Sequence, residues 1–448
     1  MRKPCHVLIV SLGCPKNLVD TEIICGELAI AGFVLTNQPD MANITLINTC
    51  SFIADARAEA DREIRRALRW KKKRHGRAVV VAGCLPQRDP LETRDKYPNV
   101  DLFLGLDDVP RAANLLTKLI HNELGDRVLP EPGLPTYIHD YDTPRLQLTP
   151  PNYAYIKIAE GCDHRCAFCK IPDIRGHQRS RSINSIVKEC ENLLAQGVKE
   201  LNLIAQDTTR YGLERDDGAN LQELIRQCDH FSGTYWLRLL YTHPKYFSNE
   251  ILEALADATH VIPYVDIPLQ HISNHILEAM SRRIGGPATR ELMLRLRKRW
   301  PGVAVRTTFL VGYPGESEDD FKELLDFVEE YRFERLGVFT FSPEIGTPAA
   351  TLRDDLVPAE IAAERRGQIL ELQQKISHQN NSQLIGQDLE VLVDHPEENG
   401  QFAGRTTGDA PEIDNLVHFR GPTDCMDRGI VTVKITAASA YDLQGKLA

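Results

Sequence analysis

The chain has 448 residues, 42% of them hydrophobic and 26% charged, enough for about three compact units with cores that need no disulfide staples. Its net charge of −10 excludes a protein that coats nucleic acid by charge alone, while leaving room for a local basic patch. No apolar run is long enough to span a bilayer, and the start, Met1-Arg2-Lys3-Pro4-Cys5-His6-Val7, runs into a strand pattern with no secretory cleavage site. The expectation is a cytoplasmic protein that does not engage a membrane. Eleven cysteines, an odd number, then read as reduced thiols, packed in cores or bound to metal.

In chain order, strands are expected near His6–Val10, Ile44–Asn48, Ala78–Ala82 and Val100–Leu104. Helices near Lys16–Ala31 and Ala54–Lys73 alternate with them, the pattern of a parallel sheet covered on both faces. The segment PEPGLPTYIHDYDTPRLQLTPP, from Pro130 to Pro151, carries six prolines and suits an extended connector. A second series of six strands follows: YAYIKIAE from 153, ELNLIA from 200, YWLRLL from 235, VIPYVDIP from 261, VAVRTTFL from 303 and RLGVFTF from 335. Helical stretches separate them, which predicts a partial or complete βα barrel. A polar helix from about Pro358 to Gln383 leads to short strands in DLEVLVD, NLVHF and GIVTVKIT, read as a small OB-like β-barrel. The expected class is α/β: a parallel α/β domain over 1–128, a Pro-rich linker over 129–151, a TIM-like barrel with its trailing helix over 152–383, and the small β-barrel over 384–448.

The strongest chemical signal is Cys162-Asp163-His164-Arg165-Cys166-Ala167-Phe168-Cys169, directly after the first barrel strand. Four thiolates would close a tetrahedral zinc or a cubane, whereas three within one loop leave one iron of a four-iron cluster open. The competing readings are a structural zinc completed by His164 or a distant residue, and a chance grouping of core thiols. The position at a barrel strand end, and the absence of paired CxxC knuckles, favour the cluster.

Cys14, Cys50 and Cys84 form a dispersed set, each just after a predicted strand in SLGCPKN, LINTCSF and VAGCLPQ. All strands of a parallel sheet end on one edge, so the three thiols should converge there. Taken singly each reads as a small buried hydrophobe; together they predict a second three-thiolate cluster with an open iron. Gly13, Gly83, Asn17 and Asn48 are its neighbours, and are also ordinary turn residues. Cys5, Cys25, Cys190, Cys228 and Cys425 lack partners at ligand spacing.

The CxxxCxxC loop, with Phe168 in its aromatic position, resembles that of the radical S-adenosylmethionine (SAM) superfamily. Together with SLGCPKNLVD, CDHRCAFCKIPDIRG, LIAQDTTRYG, VGYPGE and FSPEIGTPAATL, it makes nearly the entire chain similar to the methylthiotransferase family, in particular to members that modify small-subunit ribosomal protein twelve. The resemblance implies a methylthiotransferase domain, a radical SAM barrel and a TRAM domain, with two [4Fe-4S] clusters and SAM as cofactors. It implies that the cluster on Cys162, Cys166 and Cys169 cleaves SAM to a 5′-deoxyadenosyl radical that takes a β-hydrogen from an aspartate. The cluster on Cys14, Cys50 and Cys84 then presents the methylated sulfur. No residue beyond these ligands is assigned to catalysis. SAM contacts are expected from Phe168, Gln206, Asp207, Gln270, Gly312 and Gly315, all near the carboxyl ends of barrel strands. The implied partners are a basic ribosomal protein as substrate and an electron donor such as a flavodoxin or ferredoxin.

Relatives in the same family thiomethylate an adenosine of transfer RNA, and a non-catalytic iron-sulfur carrier or sensor is the reading from another class. Open irons speak against a carrier. From Gly386 to Ala448 the tail has eleven Asp and Glu against five Lys and Arg, which would repel phosphate and attract a basic protein. Against this, the segment Arg62–Arg77 carries nine Lys and Arg with one Glu, a solvent-facing surface or a contact for ribosomal RNA.

Overall fold

The computed structural model describes residues 4–124, 129–130 and 133–448. It divides into two compact units that interleave along the chain. The first takes residues 1–148, 159–164 and 169–181, the second 149–158, 165–168 and 182–448. The expected boundary at 128, and Glu131 and Pro132 of the connector, lie outside the described residues.

The first unit is built on five parallel strands, β1 (His6–Ser11), β2 (Val34–Thr36), β3 (Ile44–Thr49), β4 (Ala78–Gly83) and β5 (Leu102–Leu104), in the order β2-β1-β3-β4-β5. Every residue of β3 is buried, as befits a central parallel strand covered on both faces, with Ile44, Leu46 and Ile47 in the core and Thr45, Asn48 and Thr49 buried among them. Helix α1 spans Pro15–Ile30 and helix α2 spans Ala54–Lys72. The buried residues of α2, Ala60, Ile64 and Ala67, recur at helical spacing and pack on Ile47, Val79, Val81 and Phe103. The strand order reverses between β1 and β3, which opens a crevice at their carboxyl ends. The sequence pattern omits β2, a three-residue edge strand too short to show alternation.

The Pro-rich connector has no helix or strand among its described residues and straps back over α1. The buried Glu22 carboxylate accepts from Arg145 Nη2 at 2.6 Å and from the Leu148 N–H at 2.7 Å, and the Glu22 carbonyl accepts from the Leu146 N–H at 3.0 Å. The connector therefore belongs to the first unit as packed structure.

In the second unit all six expected barrel strands are present: β6 (Tyr153–Lys157), β7 (Glu200–Ile204), β8 (Trp236–Leu239), β9 (Tyr264–Asp266), β10 (Ala304–Val311) and β11 (Arg335–Thr340). They form two three-stranded parallel sheets, joined by a bridge between Leu237 and Val261, so the barrel is partial. Five further strands, β12 (Asp388–Pro396), β13 (Gln401–Arg405), β14 (Val417–Arg420), β15 (Ile430–Ala438) and β16 (Leu443–Leu447), close into a small barrel around Val391, Val393, Phe402, Val417, Phe419 and Val433. The sequence pattern shows three of these; β13 and β16 are broken by Gly404 and Gly445.

The segment after β13 closes the amino-terminal end of the large barrel with ion pairs. Arg405 lies between Glu200 and Asp394, each at 2.7 Å, and Arg238 also holds Glu200 at 2.7 Å. Arg335 donates to Asp409 at 2.7 Å, Arg306 pairs with Asp414 at 3.4 Å, and the Tyr264 hydroxyl donates to Asp414 at 2.6 Å. These acids of the tail are paired inside the unit, at the end of the barrel opposite the carboxyl ends of its strands. Among the described residues no helix is long and apolar enough to cross a membrane.

Arg405→Ala leaves the buried Asp394 carboxylate without its ion-pair partner and should cost about 3–5 kcal/mol of unfolding free energy in a denaturant titration. Asp394→Asn combined with Arg405→Met should recover part of that loss.

Candidate functional site

At the carboxyl edge of the first sheet the three dispersed cysteines converge. Cys14 follows β1 and caps α1, Cys50 follows β3, and Cys84 opens helix α3 (Cys84–Arg88) after β4. Two glycines allow the approach. Gly13 has φ +91°, and a Cβ there would lie 2.5 Å from Cys50 Cβ. Gly83 has φ +92°, and a Cβ there would lie 2.1 Å from Asn48 Oδ1 and 2.8 Å from the Thr49 carbonyl. The sulfurs feel one another: burial raises the Cys50 thiol, with a further push from Cys14, and Arg175 opposes both. Burial pushes the Cys84 thiol up to about 12 against the pull of Arg175.

Asn17 and Asn48 brace the loops. The Asn48 amide donates to the Asn17 carbonyl at 2.9 Å and to Thr21 Oγ1 at 2.8 Å, and the Asn17 amide donates to the Leu12 carbonyl at 2.6 Å. Two buried polar atoms next to Cys50, Ser51 Oγ and Asn48 Oδ1, have no hydrogen-bond partner. A closed protein core rarely leaves such atoms orphaned.

Arg175 is fully buried among these thiols. Its Nη1 donates to Glu160 Oε2 at 2.9 Å, and its Nη2 lies 3.1 Å from Asp20 Oδ2, 3.4 Å from Asn17 Oδ1 and 3.4 Å from Cys84 Sγ. The carbonyl of the next residue, Gly176, accepts from the Cys162 N–H at 3.0 Å, so two adjacent residues of one unit touch both cysteine groups.

In the second unit the Arg165–Phe168 part of the cysteine loop is pinned by its backbone. The Ala167 N–H donates to the Met280 carbonyl at 3.0 Å, and the Ala167 carbonyl accepts from the Ala349 N–H at 2.9 Å. Phe168 packs on the group formed by Ala167, Ile276, Met280, Tyr313 and Ala349. Arg282, 5% exposed, donates from Nη1 to Cys166 Sγ at 3.6 Å and from Nη2 to the Pro268 carbonyl at 2.6 Å. Its neighbours Ser281 and Arg283 both have φ +57°, a strained backbone on either side of an inward-facing cation.

The remaining predicted SAM contacts fall in several settings. Gln206 follows β7 and is half-buried. Asp207 is buried, and its Oδ1 accepts from the Thr209 N–H at 2.9 Å, so this carboxylate closes its own turn. Gln270 has φ +72°, with its backbone fixed to Thr308 and Leu310 at 2.8 Å each. At Gly312 a Cβ would meet Ala362 Cβ at 2.5 Å, and its N–H donates to Glu316 at 2.6 Å, so its smallness serves helix packing. Gly315 faces open space, where an added Cβ would meet His275 Cε1 at 3.8 Å, ordinary contact distance. Sequence reasoning missed Arg175, Arg282, Asp20 and Glu160. Arg175 lies within CDHRCAFCKIPDIRG, where nothing separates a buried guanidinium from a surface one.

Among the described residues no group of three or more His, Cys, Asp or Glu is arranged to hold a metal ion. The neighbouring thiols of Cys14, Cys50 and Cys84, the orphaned polar atoms beside Cys50 and the N–H donor on Cys84 are donor chemistry that fits an iron-sulfur cluster, and Cys166 likewise has an N–H donor on its sulfur.

The fold and these residues define a SAM-dependent iron-sulfur transferase. Residues 156–328 match the radical SAM superfamily, residues 6–105 the uncharacterized protein family UPF0004, and residues 385–447 the TRAM domain. The chain is 44% identical over 438 residues to ribosomal protein uS12 methylthiotransferase RimO of Heliobacterium modesticaldum, covering 98% of this chain and 94% of that one. It is 42% identical over 442 residues to the RimO of Desulforamulus reducens, covering 98% and 99%. The chain belongs to the RimO family. The radical SAM methyltransferase TsrM of Kitasatospora setae, solved with cobalamin and a [4Fe-4S] cluster bound, shares the fold with a TM-score of 0.56 at 17% identity, over 78% of this chain and 77% of that one.

Gly83→Ala should destabilise the first unit by about 1–3 kcal/mol, because a methyl group there meets fixed backbone and the φ is left-handed. Thermal unfolding followed by tryptophan fluorescence, compared with Gly76→Ala, where the added methyl meets nothing within 4 Å, isolates the contact.

Proposed function

We propose that this chain inserts a methylthio group at the β-carbon of an aspartate of small-subunit ribosomal protein uS12. The observation that carries this reading is the convergence of Cys14, Cys50 and Cys84 at one sheet edge, in a chain matched almost end to end by uS12 methylthiotransferases. Cys162, Cys166 and Cys169 would hold one [4Fe-4S] cluster, and Cys14, Cys50 and Cys84 a second. When bound, the first supplies one-electron cleavage of SAM and the second supplies sulfur. The chain's own residues do the rest: Ala167 and Met280 hold the cysteine loop, Arg282 and Arg175 aim N–H groups at Cys166 and Cys84, and Phe168 and Tyr313 line an apolar patch that excludes water. In this reading residues 1–128 are the methylthiotransferase domain, 129–151 the connector, 152–383 the radical barrel with its helix, and 384–448 the TRAM barrel. Phe168, Gln206, Asp207, Gln270, Gly312 and Gly315 are the proposed SAM contacts, a flavodoxin or ferredoxin is the reductant, and the cytoplasm, where the substrate is made, is the compartment.

Mass spectrometry of uS12 and of transfer RNA nucleosides, from cells with and without the gene, tests the substrate. An adduct of about 46 Da, the increment for a methylthio group replacing hydrogen, should vanish from uS12 alone; loss from nucleosides alone would refute the assignment. Cys→Ala at Cys162, Cys166 or Cys169 should abolish release of 5′-deoxyadenosine, whereas Cys→Ala at Cys14, Cys50 or Cys84 should spare it and abolish sulfur insertion.

We also assign α2 and the turn after it a contact with ribosomal RNA. Arg62, Arg66, Arg69 and Lys73 are exposed and follow at spacings of four, three and four, which lines them along one side of the helix. Arg65, Lys71 and Arg77 are held by Asp61, Asp101 and the face of Trp70, and Arg66 of the stripe also pairs with Glu63 at 3.5 Å. Reversing Arg62, Arg69, Lys72 and Lys73 to Glu should lower modification of assembled subunits and leave modification of isolated uS12 unchanged; equal losses on both would count against the contact.

A further inference from the structure

We propose that Arg175 sets the electron affinity of the cluster held by Cys14, Cys50 and Cys84, as a fixed cationic hydrogen-bond donor to the Cys84 sulfur. This deepens the two-cluster reading and rests on it. Arg175 is 1% exposed, so its charge is not screened by water. Its orientation is over-determined: Glu160 takes one arm of the fork, Asp20 and Asn17 take the other, and the remaining reach of Nη2 falls on Cys84 Sγ. Asp20 and Glu160, 3% and 4% exposed, both face the guanidinium. A thiolate added at Cys84 adds negative charge beside them, and the guanidinium is the cation in contact with its sulfur.

Hydrogen bonds to the sulfurs and net local charge are the levers a protein has on the potential of an iron-sulfur cluster. A donor N–H on a ligand sulfur, and a positive charge beside it, both favour the state with one more electron. Arg175 is a positioning residue in this sense, and its effect should follow charge. Removing the cation should make the cluster harder to reduce, and removing a neighbouring anion should make it easier. A residue that only holds the loops together has no such sign.

The experiment uses the full-length chain with Cys162, Cys166 and Cys169 replaced by Ala, so that one cluster reports, reconstituted anaerobically and titrated with dithionite under electron paramagnetic resonance. In that background Arg175→Met should lower the ratio of reduced to oxidised cluster at the parent midpoint by about tenfold, about 59 mV for a one-electron couple. Arg175→Lys, which keeps the charge and loses the fork, should fall between the two. Asp20→Asn should move the ratio the opposite way. Because Arg175→Met takes a cationic partner from two buried carboxylates, Arg175→Met with Glu160→Gln serves as the variant that folds; it keeps the local charge balance, and its shift should be smaller than tenfold but in the same direction. Midpoints unchanged in Arg175→Lys and Asp20→Asn, with full iron content, would overturn the role of Arg175 while leaving the cluster in place. A Cys162/Cys166/Cys169 variant that binds no iron would instead remove the second cluster, and the proposal with it.

Discussion

Parallel strands deliver all their loops to one edge, and this constraint governs the first unit. Three loops leave β1, β3 and β4 at neighbouring positions, and the order reversal between β1 and β3 keeps the edge open where Cys14 and Cys50 leave it. Convergence alone would not bring the loops into contact. Gly13 and Gly83, both in the left-handed region, remove the side chains that would hold the Cys14 and Cys84 loops off the β3 loop. The asparagines then fasten backbone to backbone across the gap, so the thiols sit on fixed supports.

The second unit applies the same edge logic with the two ends of its barrel given different work. The cysteine loop, Gln270 and the Gly312–Gly315 turn lie at the carboxyl ends of strands, where chemistry is placed. The amino ends carry Glu200, Arg238, Tyr264, Arg306 and Arg335, and these are satisfied by Arg405, Asp409 and Asp414 from the small barrel's strand and loop. Such a network costs desolvation, which is offset only when every partner is present. It fixes the small barrel to the large one, and it accounts for three of the tail's acids, Asp394, Asp409 and Asp414.

Much of this is legible in the sequence, for physical reasons that differ by element. The six barrel strands and the central strands of the first sheet are long apolar runs bounded by turns, a signal that burial enforces. The edge strand β2, and β13 and β16 of the small barrel, are short or carry glycine, and tertiary pairing makes them strands. The six cysteines announce themselves by spacing after strands. Arg175 and Arg282 do not, since charge on paper looks the same inside and out. The acidic tail misleads for that very reason: its eleven acids read as surface, yet Asp394, Asp409 and Asp414 are buried or half-buried in ion pairs. Asp207 and Gly312, expected as ligand contacts, also have structural partners the sequence does not announce, Thr209 for the first and Ala362 and Glu316 for the second.

The two buried arginines show why this chemistry calls for a guanidinium. At Arg175 four acceptors lie in different directions, Glu160, Asp20, Asn17 and Cys84, and only a rigid fork of five N–H donors reaches them together; an ammonium offers three on a flexible stem. Arg282 stands in the contrasting situation. It meets Cys166 Sγ and the Pro268 carbonyl, and among the described residues no carboxylate pairs with it. A buried cation is stable only beside negative charge. In the proposed cluster reading the thiolate of Cys166 supplies that charge, and residues of left-handed φ, Ser281 and Arg283, flank the guanidinium. The guanidinium at Cys84 is thus shared with two carboxylates, whereas the guanidinium at Cys166 is shared with a backbone carbonyl, so the two sulfurs meet their cations in different electrostatic settings.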